Sequence, residues 1–253
     1  MGAPHGHALH FHGHSPVHRL PAHLKLVALV SFVVLVVATP AEHPTAFAGY
    51  LILLLAAVRV STVPLAFLLP RMVIEAPFLV FALLLPVIAT GPRVQVGPLS
   101  LSEAGLEAAW LLAAKATLGV LAALLLATTT EPREVVAGLQ RLRMPSLMVQ
   151  ILSFMLRYLE VVTAEMHRMR IARESRGFRG GSLKSWPVLA RSAGALFIRS
   201  YERGERVHLA MLSRGYAGSL PDTARPPVSR VHVVTALALP TAAAVVLLTA
   251  YLV

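Results

Sequence analysis

The sequence predicts an all-α polytopic membrane protein: about five transmembrane helices, with a cytoplasmic block of long amphipathic helices between the fourth and fifth. Three observations predict it. Hydrophobic residues fill 56% of 253 positions and charged residues only 14%, with mean hydropathy +0.69; a soluble domain needs roughly a quarter of its residues charged to cover its surface. Apolar runs recur along the chain between Pro- and Gly-containing turns. Finally, 17 of the 23 Lys and Arg fall between residues 131 and 230, beside 8 acidic residues. A pI near 11.2 ordinarily raises nucleic-acid binding. In so apolar a chain, a basic block between apolar runs marks a cytoplasmic side instead, and no nucleic-acid partner is expected. The absence of cysteine excludes a disulfide framework and a thiolate metal site.

Residues 1–23 form a polar, His-rich tail whose prolines and glycines oppose regular structure. His5-x-His7 and His10-x-His12-x-His14 each place their imidazoles on one side of an extended chain. There they could hold a divalent ion such as Co(II), Ni(II), Cu(II) or Zn(II) loosely, without a carboxylate to close the site. Residues 24–130 then carry four spans: 24–39, 45–58, 72–90 and 106–130. Pro64 and Pro70 predict a bent connection over 61–71, and 91–102 reads as a Gly/Pro-containing loop. Arg71 and Glu75, four apart, read as an interfacial pair, while Lys115 can snorkel from the fourth span. The last span is 231–253. Thr39-Pro40 is a poor cleavage context and more spans follow, so no cleavable signal peptide is expected. With 131–230 cytoplasmic and four spans before it, the N-terminus is cytoplasmic as well.

The block 131–230 reads as helical. A short helix over 133–143 precedes two long ones. Met148, Ile151, Leu152, Met155, Leu159, Val162, Met166 and Met169 form one stripe at three-to-four spacing; Leu189, Ala193, Leu196, Phe197, Ser200, Gly204, Val207 and Met211 form another. Pro145 and Pro187 open these helices, and Gly177 and Gly215 close them.

Both ends carry one pattern, R-x3-A-x2-S-R-G-[FY]-x-G. It occurs as Arg168, Ala172, Ser175, Arg176, Gly177, Phe178 and Gly180, and again 38 residues later as Arg206, Ala210, Ser213, Arg214, Gly215, Tyr216 and Gly218. A single Ser-Arg-Gly is an ordinary helix end, with a cation on the negative pole of the dipole and a glycine able to turn left-handed. Two copies with six identical positions read as two helix tips, each offering an arginine to the same kind of receptor. No phosphate loop is present: Gly180-Gly181-Ser182-Leu183-Lys184-Ser185 has the composition without the spacing. Nucleophile-elbow, zincin and paired-carboxylate motifs are missing too, so no catalytic residue is expected.

Arg157-Tyr158-Leu159-Glu160, Glu165 and Arg168 through Phe178, together with Ser200 through Arg206 and Ser213 through Tyr216, resemble the transmembrane coupling (T) component of energy-coupling-factor transporters, in its cobalt-type, CbiQ-like branch. The family pattern is usually Ala-Arg-Gly; both copies here have Ser, small enough to keep a close approach. The resemblance implies that Arg176 and Arg214, within Ser175-Arg176-Gly177 and Ser213-Arg214-Gly215, enter grooves on two cytoplasmic ABC-type ATPase subunits. Arg168, Ala172, Arg206 and Ala210 would support the coupling face. A separate substrate-binding membrane (S) component would complete the importer. ATP and Mg would be used by the partners, no cofactor would be bound by this chain, and cobalt would be the cargo, with nickel or a vitamin as alternatives. A stand-alone metal channel or carrier would instead need His, Asp or Glu lining the spans, which hold almost none.

Overall fold

The structure is a computed structural model that describes residues 11, 13, 15–96, 99–178, 185–218 and 228–252. These divide into two compact units, one of Leu9–Gly138 with Pro226–Val253 and one containing Leu139–Arg225.

The first unit opens with a short turn of helix, α1 (Pro16–Arg19), whose backbone is capped by the Ser15 hydroxyl. His18 ties the approach to it: Nε2 lies 3.0 Å from the Phe11 carbonyl and Nδ1 2.7 Å from the Ser15 hydroxyl. Then come α2 (Ala22–Ala38), α3 (Pro44–Ser61), α4 (Leu65–Leu68), a 3-10 segment (Leu69–Glu75) and α5 (Ala76–Ile88). The hairpin β1 (Arg93–Val96) and β2 (Leu99–Ser102) leads into α6 (Glu103–Thr129), capped where Ser102 accepts from the Gly105 amide. After α7 (Pro132–Arg141) the chain leaves this unit, returning for α10 (Arg230–Leu252).

α6 is the central post, packed by α2, α3 and α5, while α10 lies against α2 and α3. The interior joins Phe32 and Val36 of α2, Phe47, Tyr50, Leu54 and Val58 of α3, Leu118, Leu121 and Leu125 of α6, and Ala243 of α10. Tyr50, fully buried, needs a partner for its hydroxyl; it lies 2.9 Å from Thr39 Oγ1, which itself donates to the Leu35 carbonyl. The outer faces are as apolar as the inside: Leu83 is 78% exposed and Val234 71%. Helices apolar on all sides are stable in a hydrocarbon solvent, where every backbone group must be bonded within the helix.

Two lysines satisfy helix ends reciprocally. Lys25 of α2 donates to the Thr129 carbonyl (2.7 Å) and the Thr130 hydroxyl (3.0 Å) at the C-terminus of α6. Lys115 of α6 donates to the Val37 carbonyl (2.8 Å) in the last turn of α2. A helix leaves its last carbonyls without intrahelical donors and carries partial negative charge there. An antiparallel pair thus exchanges cations, and Lys115 is engaged rather than reaching for water.

Several boundaries differ from the sequence reading. The loop 91–102 contains a hairpin, because Arg-Val-Gln-Val and Leu-Ser-Leu-Ser alternate with period two and pair Arg93 with Ser102. The bent connection is helical from Leu65, with Pro64 at the N-cap of α4 and Pro70 in the first turn of the 3-10 segment. Among the described ion pairs Arg71 and Glu75 do not meet. Arg71 donates to the Phe67 carbonyl (2.5 Å), its guanidinium 3.6 Å above the Phe67 ring, and buried Glu75 accepts from Thr117. The 3-10 geometry, with three residues per turn, takes positions four apart off a common face.

Five described helices are long and apolar enough to cross a membrane: α3, the stretch Leu65–Ile88, α6, α10 and a helix at Ser146–Ser175. α2, at 17 residues, is shorter. The Ser146–Ser175 helix qualifies through its apolar first half; its second half carries Glu165, Arg168, Arg170, Arg173 and Glu174, which hydrocarbon would reject. The protein is a multi-pass membrane protein. The boundary of its first unit lies within α7, where Gly138 brings its backbone against Ala22 and His23.

Replacing Lys25 by Met leaves a buried carbonyl and hydroxyl without their donor, at about 2 kcal/mol. The half-exposed Lys115→Met loses less. Thermal unfolding of the purified chain in detergent should fall further for Lys25→Met; equal losses would contradict the capping role.

Candidate functional site

The second unit is built on α8 (Ser146–Ser175) and α9 (Trp186–Leu212). They pack as an antiparallel pair: Gln150 meets Tyr216, and Glu165, further along α8, meets Arg199, earlier in the chain. Glu165 divides its carboxylate, one oxygen to Arg199 and the other to Arg168 at 2.6 Å. The hydrogen bonds from these two guanidiniums hold its carboxyl below the ordinary carboxylate value.

The two Ser-Arg-Gly tips have one geometry. At the end of α8 the Gly177 amide donates to the Glu174 carbonyl (3.0 Å) and the Phe178 amide to the Arg173 carbonyl (3.1 Å), with Gly177 at φ +79°. At the end of α9 the Gly215 amide donates to Leu212 (3.0 Å) and the Tyr216 amide to Met211 (3.0 Å), with Gly215 at φ +83°. This doubly bonded closure is a Schellman motif, and its left-handed position is open to glycine and strained for L side chains. Each serine hydroxyl turns back onto its own helix, Ser175 to the Ala172 carbonyl (3.1 Å) and Ser213 to Ala210 (3.0 Å). The repeated pattern is therefore a complete specification of a helix end.

What the end presents is arginine. Arg176 and Arg214 stand immediately before the glycine, both exposed, and neither guanidinium has a hydrogen-bond or ion-pair partner among the described residues. The carbonyls of Arg173 and Glu174, and of Met211 and Leu212, already accept from the amides of the closure. Arg168 and Arg206, one helical stretch earlier, stand beside Glu165 (2.6 Å) and Glu202 (3.9 Å). The pairing separates the roles: the first arginine of each copy is engaged by its own helix surface, the second is left outward.

The tips lie at opposite ends of the pair. Tyr216 contacts Gln150, and the 26 residues from Gln150 to Arg176 span about 40 Å of helix. Gln150 was missed by reading the sequence. It is 7% exposed, accepts from the Tyr216 hydroxyl (2.5 Å) and donates to the Gly218 carbonyl (2.8 Å). A lone amide in the run Met148-Val149-Gln150-Ile151-Leu152 was the available signal. The two apolar stripes are largely open: Met148, Ile151, Met155, Leu159 and Met166 of α8 and Phe197 of α9 are all exposed. The metal candidates His5, His7, His10, His12 and His14 lie outside the described residues. Among the described residues no group of three His, Asp or Glu is placed to hold a metal ion.

The profile of a family described as "CbiQ: Cobalt transport protein" matches residues 13–224, both helix tips included. The chain belongs to the CbiQ family. An energy-coupling factor transporter transmembrane protein EcfT of Bacillus selenitireducens is 30% identical over 81% of each chain, and its counterpart in Bacillus subtilis 27% over 81% of this chain and 82% of that one. A putative fused cobalt transport protein CbiMQ of Methanocorpusculum labreanum is 28% identical over 81% of this chain and 36% of its own length. Two uncharacterized proteins of Methanocaldococcus jannaschii match at 34% and 33%, and this chain spans less than half of either, 43% and 34%.

In this CbiQ-family chain the left-handed glycines set the direction of each arginine. Gly177→Val or Gly215→Val forces a β-branched residue to positive φ, at about 1–2 kcal/mol. Amide hydrogen exchange should accelerate over the last turn of the altered helix and stay unchanged at the other tip. Unchanged exchange at both would mean that the closure does not depend on glycine.

Proposed function

We propose that this chain is the coupling subunit of an ATP-driven importer, in which Arg176 and Arg214 each enter a groove on one of two cytoplasmic ABC-type ATPase subunits. One observation carries the reading: two helix ends of the same backbone geometry, about 40 Å apart, each present one exposed and uncompensated guanidinium. Twin plugs at that separation suit twin sockets. Arginine suits the task because it stays charged and its planar fork satisfies several acceptors in a desolvated groove.

The chemistry of ATP hydrolysis, with its Mg, belongs to the ATPases on this reading, and this chain is a transmitter. When the ATPases close, two arginines held in their grooves draw the α8–α9 pair along. The exposed Met- and Leu-bearing face of α8 is then the surface against which a substrate-binding membrane component moves, and methionine, flexible and polarisable, suits a contact that repacks. The basic block places the N-terminus on the cytoplasmic side. Cobalt is the cargo favoured by the family description and by the names of relatives.

The deciding experiment is a detergent pull-down from native membranes, wild type beside Arg176→Glu/Arg214→Glu. Co-purifying ATPases should be lost from the double variant while the chain still inserts; each buried arginine anchor carries about 2–4 kcal/mol of binding. ATPases retained in full, or normal cobalt uptake by the variant, would end the coupling assignment. We further propose that the His-rich tail holds divalent cobalt loosely ahead of transport. Deleting residues 2–18 should then lower uptake at scarce metal and leave it unchanged at plentiful metal, and uptake equal to wild type throughout would reduce the tail to a linker.

A further inference from the structure

The two tips share a backbone geometry but differ in what holds them. At the second tip the aromatic residue after the glycine is Tyr216, and its hydroxyl donates to Gln150 Oε1 (2.5 Å). The same amide donates through Nε2 to the Gly218 carbonyl (2.8 Å), so one side chain grips the tip at two points on either side of Ala217. His208, on the last turns of α9, meets the edge of the Tyr216 ring at 6.4 Å. At the first tip the equivalent residue is Phe178, which has no hydroxyl; its ring contact is with Arg173 of its own helix, 5.8 Å from the guanidinium carbon. A polar clasp to the other helix is therefore specific to the second tip among the described residues.

Three features distinguish Gln150 from an incidental contact. It is 7% exposed, so its amide is desolvated and its two hydrogen bonds are obligatory. It is a lone amide within the apolar run Met148-Val149-Gln150-Ile151-Leu152. Both its partners are backbone or side-chain atoms of the repeated pattern, two and four residues beyond Arg214. We infer that Gln150 is a positioning residue for Arg214: its clasp on Tyr216 and Gly218 fixes the end of α9 to the start of α8, an anchor that the Arg176 tip lacks among the described residues. The inference rests on the coupling role proposed for the two arginines and adds an asymmetry between them.

The native chain has no cysteine, which permits a direct test. Spin labels at His167→Cys and Leu212→Cys, both exposed positions of the full-length chain, report the separation of the last third of α8 from the end of α9. The unaltered clasp should give one narrow distance distribution. Tyr216→Phe, which removes one bond and keeps the ring, should broaden it, and Gln150→Met, which removes both and keeps the volume, should broaden it further. Tyr216→Phe added to Gln150→Met should do nothing more, because the two groups act through each other.

The second arm is ATPase retention in single-tip backgrounds. With Arg176→Glu, retention depends on Arg214, and Tyr216→Phe should lower it roughly five-fold, the factor one buried hydrogen bond carries. With Arg214→Glu, Tyr216→Phe should leave retention unchanged. Distance distributions unaltered by either clasp variant overturn the inference, as does an equal loss in both backgrounds, which would make the clasp general scaffolding. Should the Arg176/Arg214 double reversal keep its ATPases, it is the coupling role that fails, and the distance measurement still decides whether Gln150 fixes the tip.

Discussion

A helix ends with carbonyl groups that its own amides cannot reach, and the structure is arranged around supplying them with donors. Within the apolar unit lysine supplies two of these donors from a side chain: Lys25 at the end of α6, Lys115 at the end of α2. The exchange locks α2 and α6 antiparallel and takes two cations that would be costly in hydrocarbon to the one place where negative charge awaits them. In the basic unit the same need is met by the backbone. A left-handed glycine folds the chain back so that its own amides fill the last carbonyls, at Gly177 and again at Gly215. A side-chain cap consumes its cation, whereas a backbone closure leaves one over.

Much of this was legible in the sequence. Apolar runs near the length of a bilayer announce the spans because little else produces them. The doubled Ser-Arg-Gly was legible because every pattern member has a local job: the glycine turns, the serine bonds its own helix, and the arginine remains. Lys115 as a helix cap was not, since its partner lies 78 residues away. Gln150 was hidden for the same reason: its partners sit 66 and 68 residues on, and nothing in a lone amide names them. The hairpin at 93–102 escaped because two four-residue strands are too short to stand out from a turn-rich loop. Arg71 and Glu75 misled because four-residue spacing implies an α-helical face, and the segment winds as a 3-10 helix.

The α8–α9 pair departs from the usual amphipathic pair. Apolar stripes normally turn inward and charges outward; here apolar side chains such as Met155 and Phe197 are exposed and prominent contacts between the helices are polar, at Gln150 and at Glu165. Directional bonds fix how two rods sit on one another, while nondirectional apolar contact tolerates sliding. The division of labour suits an element that must keep its own shape and present a face that other surfaces can slide across.

The serines of the two tips carry a consequence of their own. Each hydroxyl proton points back to an alanine carbonyl one turn earlier, so the outward side of the oxygen shows lone pairs and no hydrogen. To an incoming surface such a serine looks like the alanine of the family pattern with one weak acceptor added. On the coupling role proposed above, a socket moulded to alanine would admit either serine without change.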